Sequence, residues 1–354
     1  MPLVTVNWLE GRTVAQKQEL VSEITELVHR VGGTPIDRIN VVVQDVPAEN
    51  WGRGGKLLSD LQSAPPAPPA PAASESVRSA LHETVASLPL VDQPVRMFDL
   101  EQPRYQGMPV ISVHQPGYAY FLHRRHSDDY RPAELGVRSS ASGVIVCMEH
   151  SGTHIDAICH QADAQILYGG IPAAEVSSSK GFTVHAIEEA PPIMAPGVLL
   201  DAAAERGVRS LDAGHLVTAA DLEACCRRQR VEVNAGDVVL IRTGNALFWD
   251  DPERFLAGPG MDSSASEWLA AKGVLAVGAD NMAWDVIGLR DPKLGCQLPG
   301  HLILLARHGI YIIENLQLEE LASAGHSRFS FICMPLKFIG ATGSPVRPIA
   351  VVNA

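Results

Sequence analysis

The chain has 354 residues, a length that suits about two domains at the usual ~100–200 residues each. Apolar residues make up 46% and charged residues 19%, so burying a sizeable core is no obstacle. The net charge of −12 argues against nucleic acid or a membrane as partner, because both call for basic surface.

From the N-terminus, Leu3 to Trp8 reads as a strand ending at Glu10-Gly11. Thr13 then caps a helix with Gln16 three residues on. Leu20, Ile24, Leu27, Val28 and Val31 fall at helical spacing, and Gly32-Gly33 stops the run. Ile39 to Val43 is a second strand. A β-α-β unit this small cannot close a core alone, so a homo-oligomer is expected. Residues 63–76, SAPPAPPAPAASES, hold no core-forming side chain and read as a semi-rigid Pro/Ala linker. The expected organisation is a first domain over residues 1–62, the linker, and a second domain over 77–354.

The second domain mixes strands and helices and reads as α/β without internal repeats. Val238 to Thr243 is a buried-looking strand. Glu267 to Lys272 is helical up to Gly273, and Val274 to Val277 begins another strand. Leu298 to Arg307 reads as a helix closed near Gly309, Ile310 to Ile313 as a strand ending at Glu314, and Phe329 to Phe338 as a further strand. No run reaches the ~18 apolar residues of a membrane span and no signal-peptide pattern opens the chain. The six cysteines show no CxxC spacing, which speaks against a disulfide framework and for a reducing cytoplasm.

The chemistry concentrates in residues 150–160, HSGTHIDAICH. Gly152 and Thr153 interrupt any helix, so Thr153 to Asp156 is expected to be extended. Alternation along a strand then puts His154 and Asp156 on one face, and His150 can join them around the Gly turn. Two imidazoles and a carboxylate leave open positions on a divalent ion, as hydrolytic metals require. Cys159 and Cys296 read as small apolar residues, since neither has a base partner in sequence. Tyr120, Phe121 and Trp284 are pocket or core aromatics. No spacing argument assigns His114, His123, His126 or His326.

These residues resemble the HxGTHxDxxxH signature of the metal-dependent cyclase/amidohydrolase family, which includes kynurenine formamidase and isatin hydrolase. The resemblance runs from Phe98 to Val352 and includes His301, the block Ile312 to Leu316, Met334 to Lys337, and Gly343 to Pro348. It implies a swivelling β/β/α domain that opens a small-molecule amide, either a formamide or a lactam. His150, His154 and Asp156 match the ligands of a first metal, and His301 and Glu314 those of a second, so one or two ions of Zn²⁺ or Mn²⁺ are implied. His160 matches the catalytic histidine, a general base and then acid, with metal ligation as its competing role. The proline common after the aspartate is absent here, where Ala157-Ile158-Cys159 stand; this blurs the substrate more than the mechanism. A metal-stabilised binding protein without catalysis would not need His160.

Leu9 to Arg12, the first helix and Glu49 to Gly55 resemble the 4-oxalocrotonate tautomerase family across Pro2 to Ser59. That resemblance implies Pro2 as the catalytic base for an enol or dienol acid, Arg12 as the binder of a substrate carboxylate, and Trp51 as a site aromatic. Asn40 stands where the family has a second arginine, and Arg38 or Arg53 are the cations nearest to replace it. The sequence thus points to a bifunctional hydrolase–tautomerase, or to a hydrolase whose first domain only drives assembly.

Overall fold

A parallel strand pair cannot be closed by a tight turn, so the first unit needs a crossover, and the helix predicted between its strands supplies it. In the computed structural model, which describes residues 3–50, 52–53, 56–57, 85–86, 94–128 and 130–353, strand β1 (Leu3–Leu9) is followed by helix α1 (Val14–Gly32) and strand β2 (Asn40–Val46). The strands pair in parallel, with Leu3 opposite Asn40 and Leu9 opposite Val46. Thr13 and Gln16 form a reciprocal capping box at the start of α1, and Gly33, at φ 66°, ends it in the left-handed conformation. The partly shielded residues Val4, Val6 and Trp8 alternate with exposed Thr5 and Asn7. No side chain of α1 is buried, and Leu27 and Val31 remain exposed.

The chain divides into two units, Met1–Ser74 and Glu75–Ala354. The second is built on a ten-stranded mixed sheet. Its strands in chain order are β3 (Val85–Ala86), β4 (Val95–Asp99), β5 (His154–Asp156), β6 (Ile193–Asp201), β7 (Val238–Arg242), β8 (Ala276–Ala279), β9 (Tyr311–Glu314), β10 (Arg328–Cys333), β11 (Gly343–Pro345) and β12 (Ile349–Asn353). Across the sheet they run β11-β5-β9-β8-β7-β6-β10-β12-β4-β3. β6, β7, β8 and β9 are mutually parallel, β5 joins antiparallel beside β9, and β11 pairs antiparallel with β5 at the edge.

Every residue of β7 and β8 is buried, because parallel strands covered on both faces read as continuous apolar runs. Separate apolar clusters fill the two faces. One holds Ile155, Leu199, Leu240, Ile313 and Phe331; the other holds Leu200, Val239, Ile241 and Ile312. Helix α2 (Ala219–Gln229) adds Leu222 and Cys225 to the second cluster, and helix α3 (Ser263–Lys272) adds Ala265 and Leu269.

Three elements differ from the sequence expectation. The strand expected over residues 329–338 ends at Cys333, because Met334-Pro335 turns away from the ladder and proline has no N–H to give it. The helix expected over residues 298–307 is a short turn, Pro299–His301, running into a π-helical stretch, Leu302–Arg307. The strand expected from Val274 starts at Ala276. All six cysteines are free. Among the described residues no helix is long and apolar enough to cross a membrane. The linker, Pro2 and Trp51 lie outside the described residues.

Candidate metal centre

β5 places its side chains by simple alternation: Ile155 points into one apolar cluster while His154 and Asp156 share the opposite face. The antiparallel register with β9 sets Glu314 directly opposite His154 and Ile312 opposite Asp156. Cross-strand partners share a face, so Glu314 joins the pair. His301 arrives from the short helical turn preceding the π-helical stretch, an irregularity that recurs at functional sites.

The resulting cluster is tight and dry. His154 Nε2 lies 3.5 Å from Asp156 Oδ1 and 3.4 Å from Glu314 Oε2. His301 Nε2 lies 3.5 Å from Asp156 Oδ2 and 3.2 Å from Glu314 Oε1. His150 turns Nδ1 to within 2.7 Å of Asp156 Oδ1. All five side chains are buried.

Each imidazole has its outer nitrogen engaged. His154 Nδ1 donates to the Gly152 carbonyl at 2.8 Å, and His301 Nδ1 to Asp285 Oδ2 at 3.0 Å. His150 Nε2 donates to Thr342 Oγ1 at 2.8 Å, whose own proton goes to Glu149. These bonds fix the tautomers and leave three unprotonated nitrogens facing the two carboxylates. Asp156 Oδ2 and Glu314 Oε1 are buried without a hydrogen-bond partner. Orphaned buried carboxylate oxygens are costly unless a cation meets them. Three imidazoles and two carboxylates form the N/O donor set that a borderline divalent ion takes.

Proton affinities express the same demand for positive charge. Burial opposes a charged His301, yet the surrounding carboxylates of Asp156, Asp285 and Glu314 would favour a protonated ring and raise it well above the usual imidazole range. His154 is likewise raised, against its burial, by Asp156 and Glu314. Burial would lift Asp156, but the His160 imidazole and those of His150, His154 and His301 around it hold it well below the carboxylate range.

His160 follows a 3₁₀ turn, Ile158–His160, and its ring lies 4.0 Å from that of His150 and 6.0 Å from that of His301. Burial, reinforced by His150, His301 and His154 and only partly offset by Asp156, pushes it down to about 3. It is therefore neutral at pH 7, with a ring nitrogen free to accept a hydrogen bond or meet a cation. Its donor atom also falls within 4.8 Å of those of Asp156 and His301, so the geometry serves ligation as well.

Several residues were invisible to spacing. His114 stacks on His150 with ring centroids 5.0 Å apart, beside His160. Arg104 donates to the carbonyls of Ser151 and Thr153, clamping the loop between two ligands, and is held by Glu101 at 2.9 Å. Asn315 Nδ2 fixes the Gly152 carbonyl at 2.8 Å. Ala283, Trp284, Leu298 and Asn315 all adopt positive φ around this centre. Strain of this kind, of order 1–3 kcal/mol per residue, persists only where the surroundings enforce it. It aims the Ala283 N–H at Glu314 Oε2 at 2.9 Å.

Other candidates fall away. Trp284 is fully buried core, with Nε1 bonded to Ser266. Tyr120 and Phe121 sit exposed on the hairpin Ala119–Arg124/Ser142–Val146, in neither core nor centre. Burial pushes the Cys159 thiol up to about 12, which rules out a thiolate nucleophile. His126 bonds Ser139, and His326 packs on Phe98.

Three of the five ligands, His150, His154 and Asp156, sit inside the segment, residues 98–286, that the family model described as "Putative cyclase" matches, and this segment is more than half of the chain. The chain belongs to the cyclase family. A crystal structure of a novel cyclase is 28% identical and superposes on the cyclase unit with a TM-score of 0.64, covering 77% of this chain and 91% of that one. Isatin hydrolase A from Ralstonia solanacearum is 25% identical, with a TM-score of 0.55 over 73% of this chain and 92% of its own. Residues 2–61 match the model described as "Tautomerase enzyme". A probable tautomerase of Listeria monocytogenes is 43% identical over 61 residues, which are 17% of this chain and all of that protein. A 2-hydroxymuconate tautomerase of Bacillus subtilis is 40% identical over 62 residues, 18% of this chain and again the whole relative. The chain therefore carries a tautomerase domain fused to a cyclase domain.

In the tautomerase unit, Arg12 follows β1 and lies over the Trp8 ring at 5.5 Å. Asn40 sits opposite Leu3, so the start of β1 faces an uncharged side chain. Arg38 belongs to the 3₁₀ turn, Ile36–Arg38, just before it.

Proposed function

We propose that the cyclase unit is a metal-dependent hydrolase that opens a cyclic amide or cleaves a formamide. The carrying observation is the convergence of three tautomer-fixed imidazoles on two buried carboxylates with orphaned oxygens. His150, His154 and Asp156 hold a first ion of Zn²⁺ or Mn²⁺, and Glu314 and His301 extend the set toward a second. Such an ion supplies Lewis acidity toward an acyl oxygen and acidifies water near neutral pH.

The protein's own groups do the rest. His160, with its ring beside those of His150 and His301, accepts a proton from the attacking water and returns it to the leaving nitrogen. His114, stacked at the edge of the cluster, flanks the space a substrate would enter. Kinship with isatin hydrolase A supports the amide reading.

In the tautomerase unit we assign Pro2 as base, Arg12 as the binder of a substrate carboxylate and Trp51 as a lining aromatic, acting on an enol or dienol acid. The half-open apolar face of α1 supports a homo-oligomer built through this unit. Asn40 favours a second reading, in which the unit only assembles the enzyme.

Elemental analysis of the purified chain, paired with hydrolysis of isatin and N-formylkynurenine before and after chelation, tests the hydrolase. Activity lost on chelation and restored by Zn²⁺ or Mn²⁺ is expected. A protein free of metal, and inert whatever metal is added, would sink it.

A further inference from the structure

Two chemistries fused in one-to-one ratio are useful to each other when the product of one is the substrate of the other. Hydrolysis of a cyclic acyl compound creates a carboxylate and frees the ring heteroatom. A tautomerase requires an enol or a related group that can shift a proton between heteroatom and carbon. Arg12, which pairs with no carboxylate among the described residues, offers its guanidinium to an anionic acid.

An aryl lactam such as isatin yields an arylamine beside a 2-oxo acid whose keto carbon bears no enolisable hydrogen. A formamide yields formate and an amine. Neither product gives the second unit anything to do.

Resting on the hydrolase reading above, we propose that the ring opened by the cyclase unit carries its leaving heteroatom on a carbon–carbon double bond, as in an enol lactone or an ene-lactam. Water adds to the acyl carbon, the acyl–heteroatom bond breaks, and its electron pair goes to the heteroatom. That atom leaves as an enol or enamine, taking up the proton that water gives. The tautomerase unit then removes the proton from the heteroatom and delivers one to carbon, giving the ketone or imine. No oxidant, reductant or co-reactant beyond water is needed. The new carboxylate is the group that Arg12 binds. The reaction that supplies this substrate must therefore be one that leaves an unsaturated cyclic ester or amide.

The test uses the full chain loaded with Zn²⁺ or Mn²⁺ and three rings: 2-pyrone-6-carboxylate, its saturated counterpart 6-oxotetrahydropyran-2-carboxylate, and isatin. Each kcat/KM is divided by that ring's rate in hydroxide alone, which removes intrinsic reactivity. The pyrone is expected to exceed the other two by about tenfold or more. Its dienol product, 2-hydroxymuconate, should rise and then decay faster than in buffer. The metal-stripped chain should still consume added 2-hydroxymuconate, a readout independent of the metal centre. Equal or better opening of the saturated lactone or isatin would overturn the proposal while leaving the hydrolase intact, as would dienol decay no faster than in buffer. If none of the three rings opens, this inference falls, and N-formylkynurenine then decides separately whether the hydrolase reading stands.

Discussion

Asp285 is the sharpest lever on the metal centre, because it touches His301 without belonging to the ligand set. It is buried, with Oδ2 accepting from His301 Nδ1 at 3.0 Å and Oδ1 accepting from the Gly300 N–H at 2.7 Å. Asp285→Asn keeps the volume and one acceptor but replaces the other oxygen with an NH₂ donor. If that donor faces His301, the ring must shift its proton to Nε2, the nitrogen that faces Asp156 and Glu314, and a ligand is lost. If it faces Gly300, a buried N–H is left unpaired at a cost of about 1–3 kcal/mol. Either way, metal affinity should fall by roughly 10–100-fold, or about 1.4–2.7 kcal/mol. Competition titration of the metal-free variant against a chromogenic chelator, with Zn²⁺ and with Mn²⁺, measures this directly. The melting temperature of the metal-free forms controls for misfolding. An affinity within about twofold of the parent, in a folded variant, would refute the claim that this hydrogen bond presets His301 for a metal.

Two further outcomes follow from other buried polar contacts. Arg104→Met should lower unfolding free energy in urea by roughly 2–3 kcal/mol and weaken metal binding, because the Ser151 carbonyl loses its charged donor; Arg104→Lys should recover part of both, and an unmoved urea midpoint would dismiss the clamp. Burial pushes Asp280 up to about 6, against hydrogen bonds from Thr243 and Gly244, so the folded chain holds this proton more tightly than the unfolded one. Its contribution is therefore complete below the unfolded value of about 3.8 and lost as pH rises through about 6. Relative to Asp280→Asn, the parent should lose up to about 3 kcal/mol across that window; parallel stability curves for the two proteins would refute the assignment.

Local rules were enough wherever neighbours in sequence are neighbours in space. The Thr13–Gln16 capping box and the Gly33 stop frame α1 as read, because a helix end needs only a turn's worth of chain to satisfy its N–H groups. The extended run at His154 and Asp156 is equally local, since alternation alone puts the pair on one face. His301 and Glu314 reached the ligand list through resemblance; no spacing rule connects them to residues 150–160.

The rest of the centre depended on the sheet. Glu314 stands opposite His154 because β9 pairs antiparallel with β5, and a slip of one residue would turn every such side chain to the other face. The predicted helix over residues 298–307 formed, but its π-helical stretch, where Leu304 and Leu305 pack into the core, carried no sequence signature. His114, Arg104 and Asp285 carry no local signature. They meet the ligands or the ligand loop only after long loops close, and chain closure follows from the packing of both faces of the sheet rather than from any period in the sequence. Sequence alone determined the pieces and the ligand motif; the tertiary structure decided which distant groups orient those ligands, because hydrogen-bond partners are set by three-dimensional proximity.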